Sequence, residues 1–309
     1  MKKSTRLRQL LAKKEIIVAP GCFDALTAML IEKAGFSASY MSGYGVSAGL
    51  LGMPDMGLTT MTEIHTVARY TANAVEIPVI ADSDTGYGNA INVIRCIREY
   101  IQTGIAGIHL EDQVTPKRCG HISGKELVPI EEAVGKYRAA AKTRDEYDKD
   151  FVIIARTDAR GAMGGGLDEA INRANAYLEA GADIAFVEAP TSLEEIKRVV
   201  DEVNGPLFYN CTGISPLLPV EQLQELGFSI VIYPGAGLAA TVKGVYDLMA
   251  DIKERGTEAM VDFRKSMGGH FLEDFNAFLG VQEVRKWEGE FLPDEQVQKK
   301  YEASLGYKL

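Results

Sequence analysis

The 309 residues hold only four cysteines, four histidines and one tryptophan, and no apolar run approaches the roughly 20 residues a membrane helix needs. Cys22, Cys96, Cys119 and Cys211 lie far apart without a CxxC, so they read as reduced thiols rather than a disulfide framework. His65, His109, His121 and His270 show no HxxxH spacing, which leaves zinc without its usual ligands. A block of basic residues is missing as well. With a formal net charge of −10, this argues against sequence-independent nucleic-acid binding, and an anionic ligand must be drawn by a local cluster. The opening "MKKSTRLRQLLAKKE" is basic, but Lys13, Lys14 and Glu15 interrupt it before a signal-peptide core can form. These absences lead us to expect a cytoplasmic globular protein with neither membrane nor nucleic acid as partner.

With 46% apolar and 25% charged residues, the chain can bury a full core. Eight short β-rich runs are expected at 16–20, 38–42, 78–82, 106–111, 151–156, 183–188, 206–210 and 229–234. Most are apolar without alternation, as in parallel strands covered on both faces. Helical spacing fills the gaps, as in "LDEAINRANAYLEAG" and "SLEEIKRVVDEVNG". A weak repeat places Gly35, Gly104, Gly181 and Gly227 where a helix ends and a strand begins, a position that wants left-handed backbone. Eight such units in one domain spanning 1–309 predict a (β/α)8 TIM barrel, with a doubly wound open sheet as the alternative. Residues from about 263 to 309 exceed the barrel's needs. There Phe271, Phe275, Phe278 and Leu279 fall at helical spacing, and such an apolar helical extension must cover the barrel end or a neighbouring subunit.

The polar residues gather at the C-terminal ends of the expected strands, where a barrel builds its active site. They are Ser42 and Gly43, Asp82 and Asp84, Glu111 and Asp112, Arg156 and Asp158, Glu188, and Asn210. The aspartates of "ADSDTGYGNA", with Glu111, offer hard oxygen ligands suited to Mg²⁺ or Mn²⁺; the bland alternative is a strand-end capping pair. In "PKRCGHISGK", Cys119 stands among Lys117, Arg118 and His121, cations that lower a thiol's pKa and attract a carboxylate. The same stretch reads as a loop able to close over the barrel mouth. The other three cysteines read as small buried hydrophobes. His109, inside an apolar run, reads as a satisfied core histidine, and "AMGGGL" at 162–167 as a flexible loop.

Together, "YMSGYGVSAGLLGMPDMG", "IPVIADSDTGYGN", "GIHLEDQVTPKRCGH", "IIARTDA", "FVEAP" and "YN" resemble the isocitrate lyase/phosphoenolpyruvate mutase superfamily, in its short branch that carries KRCGH. The resemblance runs over nearly the whole chain. It implies a barrel with a helix exchanged between subunits, usually in a homotetramer built as a dimer of dimers. It also implies Mg²⁺ on Asp82, with Asp84, Asp55 and Glu111 helping directly or through water. Ser42, Gly43, Tyr44, Gly120, Arg156, Glu188 and Asn210 would hold the substrate, and Cys119 would be the general acid/base on the mobile loop. The implied activity is cleavage of a 2-hydroxy dicarboxylate of the 2-alkylmalate type into pyruvate or another 2-oxo acid plus a carboxylate, with Tyr40, Tyr44 and Glu111 as candidate bases for the 2-hydroxyl. The same resemblance leaves open a carboxyphosphonoenolpyruvate-type phosphonomutase, a 2-methylisocitrate lyase and an oxaloacetate hydrolase or decarboxylase.

Three departures bear on specificity. Ala239 stands where tricarboxylate-cleaving members carry an arginine after strand eight, and Gly213 stands where an acidic residue is common. Both count against a tricarboxylic substrate. Pro234 replaces the serine frequent in oxaloacetate hydrolases. A non-catalytic dicarboxylate-binding barrel is the third reading, and it has no need of a protonating thiol.

Overall fold

Eight parallel strands alternate with helices along the chain, and the last strand pairs back onto the first. The computed structural model describes residues 1–293 together with Glu295, Tyr301 and Leu305, so the last part of the expected 263–309 extension lies outside the described residues. The strands are β1 Ile17–Cys22, β2 Ser39–Met41, β3 Val79–Asp82, β4 Gly107–Glu111, β5 Val152–Thr157, β6 Ile184–Val187, β7 Leu207–Asn210 and β8 Phe228–Tyr233. The closed order β1 to β8 is that of a (β/α)8 barrel and excludes the open doubly wound sheet.

Alternation of side chains across each strand sorts the apolar residues into two layers. Ile17 and Ala19, Ile80, Val152 and Ile154, Ile184 and Phe186, Phe208, and Ile230 and Ile232 fill the barrel interior. Their opposite-parity neighbours, among them Val79, Ala81, Ile108, Leu110, Ile153 and Val231, pack outward under the helices. Both faces are therefore apolar, which is why the runs show no alternation. Each valine, leucine, isoleucine or phenylalanine so buried contributes about 1.5–3 kcal/mol.

The first helix, α1 (Lys3–Ala12), plugs the N-terminal end of the barrel. Its Leu7 is fully buried in the interior cluster, while Arg8 donates to the carbonyls of Asp150 and Phe151 and pairs with Asp183 at 2.8 Å. The remaining barrel helices are α2 Ala25–Lys33, α3 Gly43–Val46, α4 Met61–Ala74, α5 Ala90–Thr103, α6 Ile130–Tyr147, α7 Leu167–Glu179, α8 Leu193–Glu202 and α9 Val220–Leu226, followed by α10 Ala236–Arg255. Side-chain caps fix several starts: Asp24, Thr60, Asn89 and Ser192 each accept from a backbone N–H in the first turn. The four glycines of the repeat have φ of 93°, 86°, 105° and 99°, the left-handed conformation expected of them.

The chain divides into two compact units, 1–241 and 242–309. Within the second unit, the expected single helix over Phe271–Leu279 is instead a 3₁₀ turn, Phe271–Asp274, followed by the one-turn α12 Phe275–Phe278. The interruption has a local cause: Asp274 turns its side chain back to accept from the Ala277 N–H and starts a new helix. Two longer helices flank this region, α11 Thr257–Ser266 and α13 Val281–Phe291. No helix among the described residues is long and apolar enough to cross a membrane.

Candidate active site

The inward parity that is apolar at mid-barrel becomes polar at the C-terminal ends. Tyr40 is followed two residues later by Ser42, Ile80 by Asp82, Ile154 by Arg156, Phe186 by Glu188 and Phe208 by Asn210. Ser42, Asp82, Arg156, Glu188 and Asn210, with Tyr40 and Phe186, line a cavity of about 390 Å³, joined by Cys119, Gly120, His121, Asp55 and Tyr44 from the loops.

One side of the cavity is a carboxylate corner. Asp82 is buried, and burial would raise its pKa, but His109 and Lys117 outweigh that and hold it below the ordinary carboxylate value. Its Oδ2 lies against Gly43, where an added Cβ would come within 2.5 Å. The other oxygen accepts from the Asp84 N–H at 2.9 Å. Lys117 is buried too, with its ammonium 2.7 Å from Asp55 and 2.9 Å from Asp84. Burial and the neighbouring Asp82 and Asp55 carboxylates still push Asp84 up to about 6. Glu111 is pushed well above its ordinary value by burial, and both its oxygens lack a hydrogen-bond partner, although Arg156 stands 3.2 Å away. Behind Asp82, His109 Nε2 lies 2.6 Å from the Tyr40 hydroxyl and 3.4 Å from Asp82 Oδ1.

The opposite side is built on Arg156. Its guanidinium forms a two-bond fork with Asp158, both contacts at 3.0 Å. Asp158 is itself fixed through Asp112, which accepts from the Asp158 N–H at 3.0 Å, from Thr157 and Tyr177 at 2.7 Å each, and from Arg173 at 3.3 Å. Beside the arginine, Glu188 takes Asn210 at 3.2 Å and His121 at 2.9 Å. Burial raises its pKa, but Arg156 and His121 together bring it down to about 2.

Cys119 lines the cavity from the loop between β4 and α6, and its N–H donates to the Asp55 carbonyl at 3.1 Å. The expectation of a thiol activated by its sequence neighbours does not hold. Lys117 faces Asp55 and Asp84, His121 pairs with Glu188, and the exposed Arg118 turns toward Gly124 without lining the cavity. Burial instead raises the Cys119 pKa, so the group stays a protonated thiol. That is the state a proton donor requires.

A match over residues 7–253 to the family described as phosphoenolpyruvate phosphomutase decides the lineage. The chain belongs to the phosphoenolpyruvate mutase/isocitrate lyase superfamily. It is 46% identical to a 2,3-dimethylmalate lyase of Eubacterium barkeri, over 93% of this chain and 98% of that one. The 2-methylisocitrate lyase of Aeropyrum pernix is 45% identical, with 82% and 80% covered. Among solved structures, a 2,3-dimethylmalate lyase superposes with a TM-score of 0.87 at 33% identity, covering 99% of each chain. A phosphonopyruvate hydrolase in complex with oxalate and Mg²⁺ gives 0.84 at 33% identity, covering 95% of this chain and 100% of that one. These relatives are lyases and hydrolases, and this member of the superfamily is an enzyme with the same barrel.

Within this superfamily barrel the expected site residues separate into three groups. Tyr40, Ser42, Tyr44, Asp55, Asp82, Cys119, Gly120, His121, Arg156, Glu188 and Asn210 line the cavity, and Gly43 abuts Asp82. Asp84, Glu111 and Lys117 stand behind that lining. Arg118, on the loop, turns toward Gly124. Asp112, one place past the end of β4, points toward α7, opposite to Glu111 as alternation along an extended chain requires. His109 is buried as expected, but its Nδ1 has no partner, so it is not the satisfied core histidine expected from sequence. Phe186, Ile122, Thr212 and Ile232 also line the cavity and went unread in the sequence. Parity from Glu188 could have found Phe186. Thr212, whose hydroxyl lies 2.9 Å from His121 Nε2, sits past the end of β7, where parity no longer applies.

Proposed function

We propose that this enzyme is a Mg²⁺-dependent carbon–carbon lyase that splits a 2-alkylmalate such as 2,3-dimethylmalate into pyruvate, or another 2-oxo acid, and a carboxylate. The carrying observation is the two-sided cavity. Asp82, Arg156 and a protonated Cys119 face it together with an apolar wall of Phe186, Ile122, Ile232 and Pro234. Arg156 and His121 are the basic side chains lining it, enough for a dicarboxylate but sparse for a third carboxylate. The apolar wall suits alkyl substituents.

The donor chemistry of the carboxylate corner fits Mg²⁺. No group of three or more His, Cys, Asp or Glu side chains is preassembled among the described residues. Mg²⁺ commonly keeps several waters and takes one or two carboxylates, so an ionised Asp82 opening on the cavity meets that need, with Asp84, Asp55 and Glu111 acting directly or through water. When bound, the ion supplies positive charge beside the oxygens where negative charge develops. Arg156, kept in place by Asp158, would hold the carboxylate of the oxo-acid half. Tyr40 would accept the 2-hydroxyl proton while passing its own to Nε2 of His109, 2.6 Å away. That step requires His109 to be neutral in the substrate complex and leaves Lys117 as the cation beside Asp82. As the C2–C3 bond breaks, its electron pair moves onto C3. The Cys119 thiol gives C3 its proton, and the C2 oxygen becomes the carbonyl of the oxo acid.

The test is a pyruvate-coupled assay on 2,3-dimethylmalate, 2-methylmalate and 2-methylisocitrate, with oxaloacetate followed by release of oxalate, each with EDTA and then excess Mg²⁺. We expect turnover of an alkylmalate that stops in EDTA and returns with Mg²⁺. Preference for 2-methylisocitrate or oxaloacetate would refute the substrate assignment, and full activity in EDTA would refute the metal. A ³¹P signal change with carboxyphosphonoenolpyruvate would mark a phosphonomutase instead.

The assembly proposed is a homotetramer, a dimer of dimers in which another copy covers the second unit. Of its described residues only Ala259 is buried, while Val242, Val245, Tyr246, Met249, Phe263 and Trp287 are exposed. Sedimentation as a monomer would sink this. Four free thiols are in keeping with a cytoplasmic location.

A further inference from the structure

We propose that Gln113 and Lys125 are positioning residues that hold Cys119 over the cavity by gripping the backbone on either side of it. The inference rests on the reading of Cys119 as proton donor. Gln113 is buried and makes a reciprocal pair with Arg118: its Nε2 donates to the Arg118 carbonyl at 2.8 Å, and the Arg118 N–H donates to its Oε1 at 3.0 Å. On the far side, the Lys125 ammonium donates to the Gly120 carbonyl and, at 3.4 Å, to that of Ile122. Between the two grips, the Cys119 N–H donates to Asp55 and its carbonyl accepts from Ile122 at 2.8 Å. The backbone from Arg118 to Gly120 is thereby held from both directions.

Lys125 is an unusual choice for a purely structural bond. It is only 5% exposed and makes no ion pair among the described residues. Burying an ammonium without a counter-charge is costly, and carbonyl acceptors offset only part of that cost. A neutral donor could serve a structural bond. A lysine adds reach, joining the cysteine loop to a second loop. Lys125 Nζ lies against Gly161, where a Cβ would stand 3.3 Å away, and the Lys125 carbonyl accepts from the Met163 N–H at 3.3 Å. Gly161, at the end of the 3₁₀ turn after β5, thus leaves room for this lysine's ammonium, and Met163 of the adjoining glycine-rich stretch ties down its main chain.

General acid catalysis tolerates little positional error, since misplacing a group by about 1 Å can cost about 10²-fold. The variants Lys125→Met, Gln113→Leu and Lys125→Arg in the full chain test the proposal by two readouts. One is steady-state pyruvate formation. The other is iodoacetamide alkylation resolved by cysteine, with the fully buried Cys22 and Cys96 as internal controls. We expect Lys125→Met and Gln113→Leu to lower kcat about 10²-fold with KM within about threefold, and to speed alkylation of Cys119 alone. Lys125→Arg, which keeps the charge and donors, should recover kcat to within about tenfold of the parent. Wild-type kcat and alkylation in both neutral variants would overturn the proposal. So would alkylation that rises equally at Cys22 and Cys96, because it would mean a loosened fold. If the parent cleaves none of the acids yet the Cys119-selective change appears, the lyase reading fails and the positioning role stands.

Discussion

Gly120→Ala separates the role of the cysteine loop from the stability of the barrel. The methyl would meet Arg156 Nη2 at 2.5 Å and Glu188 Cγ at 2.7 Å. The backbone of Gly120 is not left-handed, so alanine is acceptable there in every respect except space. Neither neighbour can yield cheaply. Arg156 is forked onto Asp158 and faces Glu111 at 3.2 Å, and Glu188 is held by His121 and Asn210. The loop is the softer partner, and the strain leaves when it lifts off the cavity. Overpacking of this kind costs about 1–3 kcal/mol, which lowers the ratio of closed to open loop about 5- to 150-fold. We therefore expect kcat/KM on 2,3-dimethylmalate to fall by that factor while Tm moves by no more than about 4 °C, because the lifted loop leaves the barrel core untouched. The assay is initial-rate pyruvate formation beside a calorimetric melt of the same preparation. A variant with kcat/KM within twofold of the parent would refute the closed-loop geometry. A large fall in Tm with unchanged kcat/KM would place the strain in the barrel instead.

Three other outcomes follow from the same geometry. Cys119→Ser should lower kcat by about 10²–10⁴-fold, the usual worth of a positioned acid, with an unchanged urea midpoint; parent-like turnover removes the thiol from the chemistry. Asp158→Ala leaves the Arg156 guanidinium buried without its fork and should cost about 3–5 kcal/mol in urea unfolding, and a loss under 1 kcal/mol would show Glu111 and Glu188 to be sufficient partners. Burial holds His65 below its ordinary pKa, with Glu99 pulling the other way. The unfolded chain then takes up that proton at higher pH than the native one, so this contribution is full above about pH 6.5 and is lost as pH falls. Urea unfolding from pH 7 to pH 5 should therefore show a steeper loss in the parent than in His65→Phe; parallel curves would show that the imidazole does not carry the effect.

How far the sequence discloses the site depends on whether a residue is carried by a strand or a loop. On strands, hydrophobicity and period settle the matter. The eight apolar runs mark the eight strands, and a polar residue two places past an inward apolar one must face the mouth, as with Asp82, Arg156, Glu188 and Asn210. The same rule applied to "LEDQ" would have sent Glu111 inward and Asp112 outward, since adjacent strand residues cannot share a face. On loops there is no period. "PKRCGH" places three cations beside a cysteine in the chain, yet in space each faces elsewhere. Lys117 meets Asp55, 62 residues away in sequence, and His121 meets Glu188, 67 away. Such pairings follow from where closure of the barrel brings the loops, and no local pattern encodes it. The sign of the Cys119 shift belongs to the same class. Sequence proximity counts charges, whereas a pKa responds to the charges left unpaired and to the water removed. Here each neighbouring cation already faces an acid or turns away, so burial decides, and the loop that looked built to ionise a thiol keeps it protonated.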